Sequence, residues 1–213
     1  MRKPSWTSST SKMINPITKQ LPASLFVAGI FVPIKTDFRT WLKVWKIREG
    51  NQAPWKKAFA ILTIVYQTAE HKKHIAENYE EALSQALDFL NRTLGDDTPE
   101  RPLTRSEKRL RGLRLLDWDY DAMRVVADFM REYGIDLTDD EVTMHWWRFM
   151  ALFNGLSDQS ATMEAIAIRA ADIDDKNLSG DAKKRLRERK TALMLPARSE
   201  EEAAQNRRLL RGC

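Results

Sequence analysis

The 213-residue chain is 31% charged and 43% hydrophobic, carries a formal net charge of +5, and has only eight glycines and eight prolines. That length can bury a sizeable core without metal staples, and the single cysteine, Cys213, cannot form an internal bridge, which excludes a disulfide scaffold and fits a reducing cytosol. Sparse Gly and Pro argue against a many-turned sandwich and for a soluble, helix-rich protein.

Residues 1–22 are rich in Ser, Thr and Lys, lack an apolar period, and are expected to form a disordered basic N-terminus in which Met13 offers an alternative start. The longest apolar run follows, Leu25–Ile34 (LFVAGIFVPI). It is about half of the ~20 residues that a membrane span needs, and Pro33 interrupts it. No Ala-x-Ala-like cleavage site follows, so neither an anchor nor a signal peptide is expected. Two short strands turning at Ala28–Gly29 fit the run better.

Thr36 or Asp37 then offers an N-cap for FRTWLKVWKIRE, where Phe38, Trp41, Leu42 and Trp45 recur at helical spacing and Gly50 closes the element. Pro54 opens a second helix, apolar on most sides through Phe59, Ile61, Leu62, Ile64 and Val65, which predicts a central position. A third helix is expected from about Asn78 to Leu94, with Ala82, Leu83, Ala86, Leu87 and Leu90 inward and Gly95 as its stop. Residues 96–116 form a charged linker with two prolines.

Beyond it, a helix from Trp118 carries Ala122, Val125, Val126, Phe129 and Tyr133 inward and stops at Gly134. Thr138 is the predicted cap of the next, with Asp139, Asp140 and Glu141 on its first turn, where the helix dipole favours negative charge. Its apolar face is Val142, His145, Trp146, Phe149, Met150 and Phe153, and Gly155 ends it. A helix over Thr162–Ala171 and a charged one after Ser179 complete the series. The reading is a mainly α protein, a helical bundle of about six to eight helices with a small N-terminal β-hairpin. Its divisions are 1–22, a helical half at 23–95, the linker at 96–116, a second helical half at 117–178 and a basic helical tail at 179–213. The tail holds ten Lys or Arg against five Asp or Glu from Asp181 onward.

Motifs that carry chemistry are few. His71 and His74 lie three apart, but lysines stand between them and no Cys or carboxylate completes a metal set. The DIDDKN run at 172–177 lacks the glycine and the bidentate glutamate of a calcium loop. The acids Asp136, Asp139, Asp140 and Glu141 are explained by a helix start. Phosphate loops, nucleophile elbows and zinc signatures are absent from the sequence. No catalytic residue, cofactor or metal is therefore expected.

His145-Trp146-Trp147 reads as core rather than catalyst, with the histidine bonded to backbone. Adjacent helical residues point about 100° apart, so one tryptophan, Trp146, is expected inside and Trp147 at the flank beside Arg148. Trp147 and Arg148, with Trp41 and Trp45 on the first helix, are thus the candidate partner-binding residues.

PIKTDFRTWLKVW (33–45), DWDYDAMRVVADFMREYGIDL (117–137), MHWWRFMALFNGL (144–156) and IAIRAADI (166–173) together resemble the bacteriophage gene-product-15 family, in order and spacing. The signature positions are Asp37, Phe38, Arg39, Tyr133, Gly134, Asp136, His145, Trp146 and Phe149. The resemblance runs roughly from Leu25 to Lys176, leaving both basic ends outside. It implies a non-enzymatic phage tail-assembly protein, a chaperone that keeps the tape-measure protein soluble until tail-tube subunits polymerise. Its implied partners are the tape-measure protein and other tail-assembly proteins, with self-association left open. The implied location is the host cytoplasm, with loss from the mature virion. The alternatives are a structural protein of the tail or head–tail junction, and nucleic-acid binding through the basic ends. No reading motif accompanies those ends, which weakens the second. No membrane partner is expected.

Overall fold

The computed structural model describes residues 20–66, 69–92, 110 and 112–211. Most of the expected basic N-terminus, most of the linker, the Gly95 stop and Cys213 lie outside those residues. Among the described residues there are nine α-helices, one short 3-10 helix and one two-stranded antiparallel sheet. The protein is mainly α with an N-terminal hairpin. The chain forms two compact units, and these do not follow chain order. The first holds residues 1–100 and 143–152, the second 101–142 and 153–213, so 143–152 leaves the C-terminal half in which the sequence places it.

In the first unit, β1 (Ser24–Val27) pairs with β2 (Ile30–Pro33) across Ala28 and Gly29, whose φ angles of 44° and 94° make the mirror-image turn that suits a twisted hairpin. Alternation puts Leu25, Val27 and Val32 inward. The cross-strand pair Phe26 and Phe31 points out, the two rings meeting edge to face with centroids 5.1 Å apart.

Asp37 caps α1 (Phe38–Glu49) by accepting the Arg39 N–H at 3.0 Å, and the Gly50 N–H closes it on Lys46 and Ile47. The buried face is Phe38, Trp41 and Val44, with Leu42 and Trp45 only half-buried. The predicted face rests on the largest side chains; the short Val44 takes its centre, while Trp45 lies at the edge under the Arg48 guanidinium. Helix α2 (Pro54–Val65) is not central. It buries Ile61 and Val65, while Trp55 and Phe59 are 69% and 71% exposed.

A 3-10 turn (Ala69–His71) and α3 (Lys72–Glu77) follow. The sequence does not announce them, because their only buried residue, Ile75, gives no period. In α4 (Tyr79–Asn91), Ala82 and Ala86 are buried with Phe89 and Leu90. The Tyr66 hydroxyl donates to the Ala82 carbonyl at 2.7 Å, and burial, aided by the Glu81 charge, pushes its pKa well up.

In the second unit, α5 (Ala122–Tyr133) starts four residues later than the sequence suggests. The Asp117 carboxylate accepts the N–H groups of Asp119 and Tyr120 at 2.9 and 3.0 Å, which makes a turn in place of the expected helix start. Gly134, with φ 66°, ends α5 in the left-handed conformation expected of a helix stop.

The acids 136–141 begin no helix. Asp136 accepts from the Thr138 N–H and hydroxyl at 2.8 and 2.6 Å, and Asp139 accepts from the Glu141 N–H at 2.9 Å. These local bonds offer the backbone an alternative to helix, and Thr138 caps nothing. The helix α6 begins instead at Trp146 and runs to Asn154, its first seven residues in the first unit and the last two in the second. Helix α7 (Ala161–Ala170) is capped by Ser160, and α8 (Gly180–Leu193) by Ser179. The expected single tail is broken at 194–199, where Leu195 is buried, before α9 (Glu200–Arg211). That break and α3 add two helices to the series read from the sequence, among the described residues.

Candidate interaction surface

The His145-Trp146-Trp147 triplet joins chain segments in the first unit. His145 pairs with Asp37 as an antiparallel bridge: the Phe38 N–H donates to Met144 at 2.8 Å and the Trp146 N–H to Thr36 at 2.7 Å. Asp37 also accepts the Met144 N–H, at 3.2 Å, so one carboxylate caps α1 and holds the approach to α6.

The His145 ring caps α6, with Nδ1 accepting the Trp147 N–H at 3.1 Å. The other nitrogen, Nε2, lies 3.0 Å from the Pro22 carbonyl, which can only accept. The proton is therefore on Nε2 and the ring is neutral. Burial lowers its pKa, against a smaller upward pull from the Pro22 carbonyl.

The tryptophans finish a different helix. The last carbonyls of a helix have no intrahelical donor. Near the end of α4, Trp147 Nε1 donates to Phe89 at 2.9 Å and Trp146 Nε1 to Leu90 at 3.1 Å. Both rings are buried, at 3% and 0% exposure. This corrects the placement of Trp147 at the flank: two adjacent carbonyls on α4 give both indoles an interior partner despite their different directions. Phe89 stacks on Trp147 at 5.0 Å and meets Trp41 at 4.4 Å, while Phe38 stacks on Phe149 at 4.9 Å. Trp41 is fully buried and donates to Lys35 at 2.8 Å. Neither Trp41 nor Trp147 is a surface anchor. Trp45 is half-buried, Arg39 lies over the Phe38 ring, and Arg148 is exposed.

The second unit explains the other signature residues. Asp121 sits at the N-cap of α5 but turns its carboxylate to Arg169 on α7, in a two-bond pair of 2.7 and 2.9 Å. Arg169 also donates to Leu193 at 2.7 Å and Leu115 at 2.8 Å. The network continues from Asp117 to Arg114 and Arg198, and from Arg114 to Glu202 at 2.8 Å. Burial alone would raise the Asp121 carboxyl, but hydrogen bonds from Arg169 and the Asp117 N–H, with the Arg169 and Arg124 charges, hold it below the usual range. Asp128, fully buried on α5, accepts the Ala161 and Thr162 N–H groups at 3.1 and 2.8 Å and so stabilises the start of α7. Tyr133 and Gly134 end α5, and Asp136 orders the next turn. In sequence, DWDYD and IAIRA are family markers; that their acids and arginine meet is invisible without the fold.

Among the described residues no group of three or more His, Cys, Asp and Glu is placed to hold a metal. His74 Nε2 lies 2.9 Å from the Val27 carbonyl. A void of about 20 Å³ lined by Leu113, Leu115, Leu195 and Leu209 beside Arg169 has room for little more than one water. No described helix is long and apolar enough to cross a membrane.

What the surface does offer is apolar. Trp55 and Phe59 are exposed on α2, and Phe26 and Phe31 on the hairpin, at 47% and 70%. In the second unit Met123 and Met130 are exposed on α5, at 72% and 46%. None of these is among the partner-binding residues expected from sequence. The available signal was α2 itself, because a helix apolar on most sides must expose part of that surface once its unit covers one side.

Residues 17–195 match the family model described as Bacteriophage Gp15 protein. No curated protein and no solved structure matches the chain.

Proposed function

The chain belongs to the bacteriophage Gp15 family, and on that basis we propose that it is a non-enzymatic tail-assembly protein that chaperones the tape-measure protein. The observation that carries this reading is the exposure of large apolar side chains in both units, Trp55 and Phe59 in one and Met123 and Met130 in the other. Aromatic rings anchor partners at low entropic cost, and methionine adapts to varied apolar clients. The shifted titratable groups near the signatures support a role without acid–base chemistry. His145 caps α6, and Asp117 and Asp121 hold arginines, so each is engaged in maintaining the fold.

In this reading the protein acts in the host cytoplasm and leaves before the particle matures. Two measurements test it: the soluble fraction of the tape-measure protein expressed with and without this chain, and mass spectrometry of purified particles. Chaperoning predicts a soluble client and particles lacking the protein. An insoluble client, or stoichiometric presence in particles, overturns it in favour of a structural role.

A further inference from the structure

Helix α2 carries two large rings that its own unit leaves uncovered. Trp55 and Phe59 stand four residues apart, one turn along the helix, so they share a face. Thr63, one turn after Phe59, and Gln52, in the bend that precedes α2, are both exposed, so the apolar stripe is short and bounded by polar residues. Ile61 and Val65 are taken up by the core.

The charge on α1 and α2 is mainly positive. Helices α1 and α2, which pack on each other, carry Arg39, Lys43, Lys46, Arg48, Lys56 and Lys57 against the single acid Glu49. Arg48 pairs with Glu49 at 3.2 Å, and Lys57 donates to the Arg48 carbonyl at 2.9 Å. Lys56 is exposed, with its Nζ 5.4 Å from the Trp55 ring centroid, and Lys43 is also exposed. The acids of the neighbouring α4 include Glu81, which accepts the Ala28 N–H, and Glu80, which accepts the Tyr79 hydroxyl.

We propose that the Trp55–Phe59 face of α2 docks an amphipathic helix whose flanks are acidic. Rings spaced by one turn match the spacing of apolar side chains on a partner helix, which pack between them. Lys56, beside Trp55, then meets a carboxylate at the edge of the partner's apolar stripe, and the same exposed cation disfavours a basic helix. The α5 methionines make no comparable choice of partner, because Arg124 and Arg131 beside them are already paired with Asp121 and Asp128. A lipid surface is the lesser fit, since a membrane-lying helix needs a wider apolar face than two rings between polar residues. The inference deepens the chaperone reading and depends on it only for the identity of the client.

The test uses the full chain and two fluorescein-labelled peptides of about five helical turns with the same leucine stripe, one flanked by glutamate and the other by lysine. At low salt the glutamate peptide is expected to bind about tenfold more tightly, and added salt should narrow the gap. Trp55→Ala with Phe59→Ala should abolish binding while leaving the thermal melt unchanged, and Lys56→Glu should weaken the preference. Equal affinity for the two peptides, or binding that survives loss of both rings, overturns the proposal. Capture by vesicles of phosphatidylglycerol and phosphatidylcholine with neither peptide bound overturns it in favour of a membrane. If the glutamate peptide binds but the tape-measure protein stays insoluble, the docking surface stands and the chaperone reading fails. If the variant lacking both rings still solubilises that client, the reading stands and the docking surface fails.

Discussion

The indole N–H of Trp147 donates to the carbonyl of Phe89 at 2.9 Å, and the two rings stack at 5.0 Å. Beside them Trp146 donates to Leu90, so two consecutive tryptophans satisfy two consecutive carbonyls near the end of α4. Both should matter to stability. Trp146→Ala and Trp147→Ala are each expected to cost roughly 3–5 kcal/mol in urea unfolding. Trp147→Phe keeps most of the packing and leaves the Phe89 carbonyl unpaired, for about 1–3 kcal/mol. A Trp147→Ala protein as stable as wild type would contradict this.

His145 predicts a pH dependence. Its folded pKa lies below its unfolded value, so the unfolded chain binds more protons once pH falls below about 6.5. Stability from this group is therefore full above the unfolded pKa and declines as pH falls towards the folded pKa. His145→Asn keeps a capping side chain and removes the titration, and should flatten that slope between about pH 7 and 5. Denaturation midpoints across that range check it.

The Asp121–Arg169 pair acts at lower pH. The Asp121 carboxyl is held down in the folded state, so its stabilisation is present above the ordinary carboxylate pKa of about 3.9 and is lost as pH falls through the folded value. Both side chains are nearly fully buried. Arg169→Leu should cost about 3–5 kcal/mol near neutrality, because it strands a buried charge. Replacing both by apolar residues of similar volume should recover much of that loss.

Ala28 sits at φ 44°, where a side chain is disfavoured. Ala28→Asn, which suits this turn before a glycine, should stabilise the hairpin by about 0.5–1 kcal/mol. A shift in the opposite direction in thermal unfolding would show that the turn is constrained by something other than its backbone conformation.

The hairpin turn, the Asp37 cap, the Pro54 start and the Gly134 stop are legible in the sequence because each rests on local backbone chemistry. The start of α6 is not: Asp136 and Asp139 look like first-turn acids until their own turns are seen to use them. Helical phase misplaces Trp147 because it describes one helix, whereas the partner carbonyl belongs to α4. The Asp121–Arg169 pair spans 48 positions, and no periodicity reports contacts at that range. The exposed rings of α2 are hidden by the assumption that an apolar helix is a buried one.

If the signature aromatics maintain the fold while the exposed rings of α2 hold the client, the two roles must separate by mutation. The decisive measurement is co-purification of the tape-measure protein with wild type and with Trp55→Ala/Phe59→Ala, alongside thermal melts. Unchanged melts and loss of most of the client from the double variant are expected. Full retention of the client by a folded double variant would contradict that division of roles.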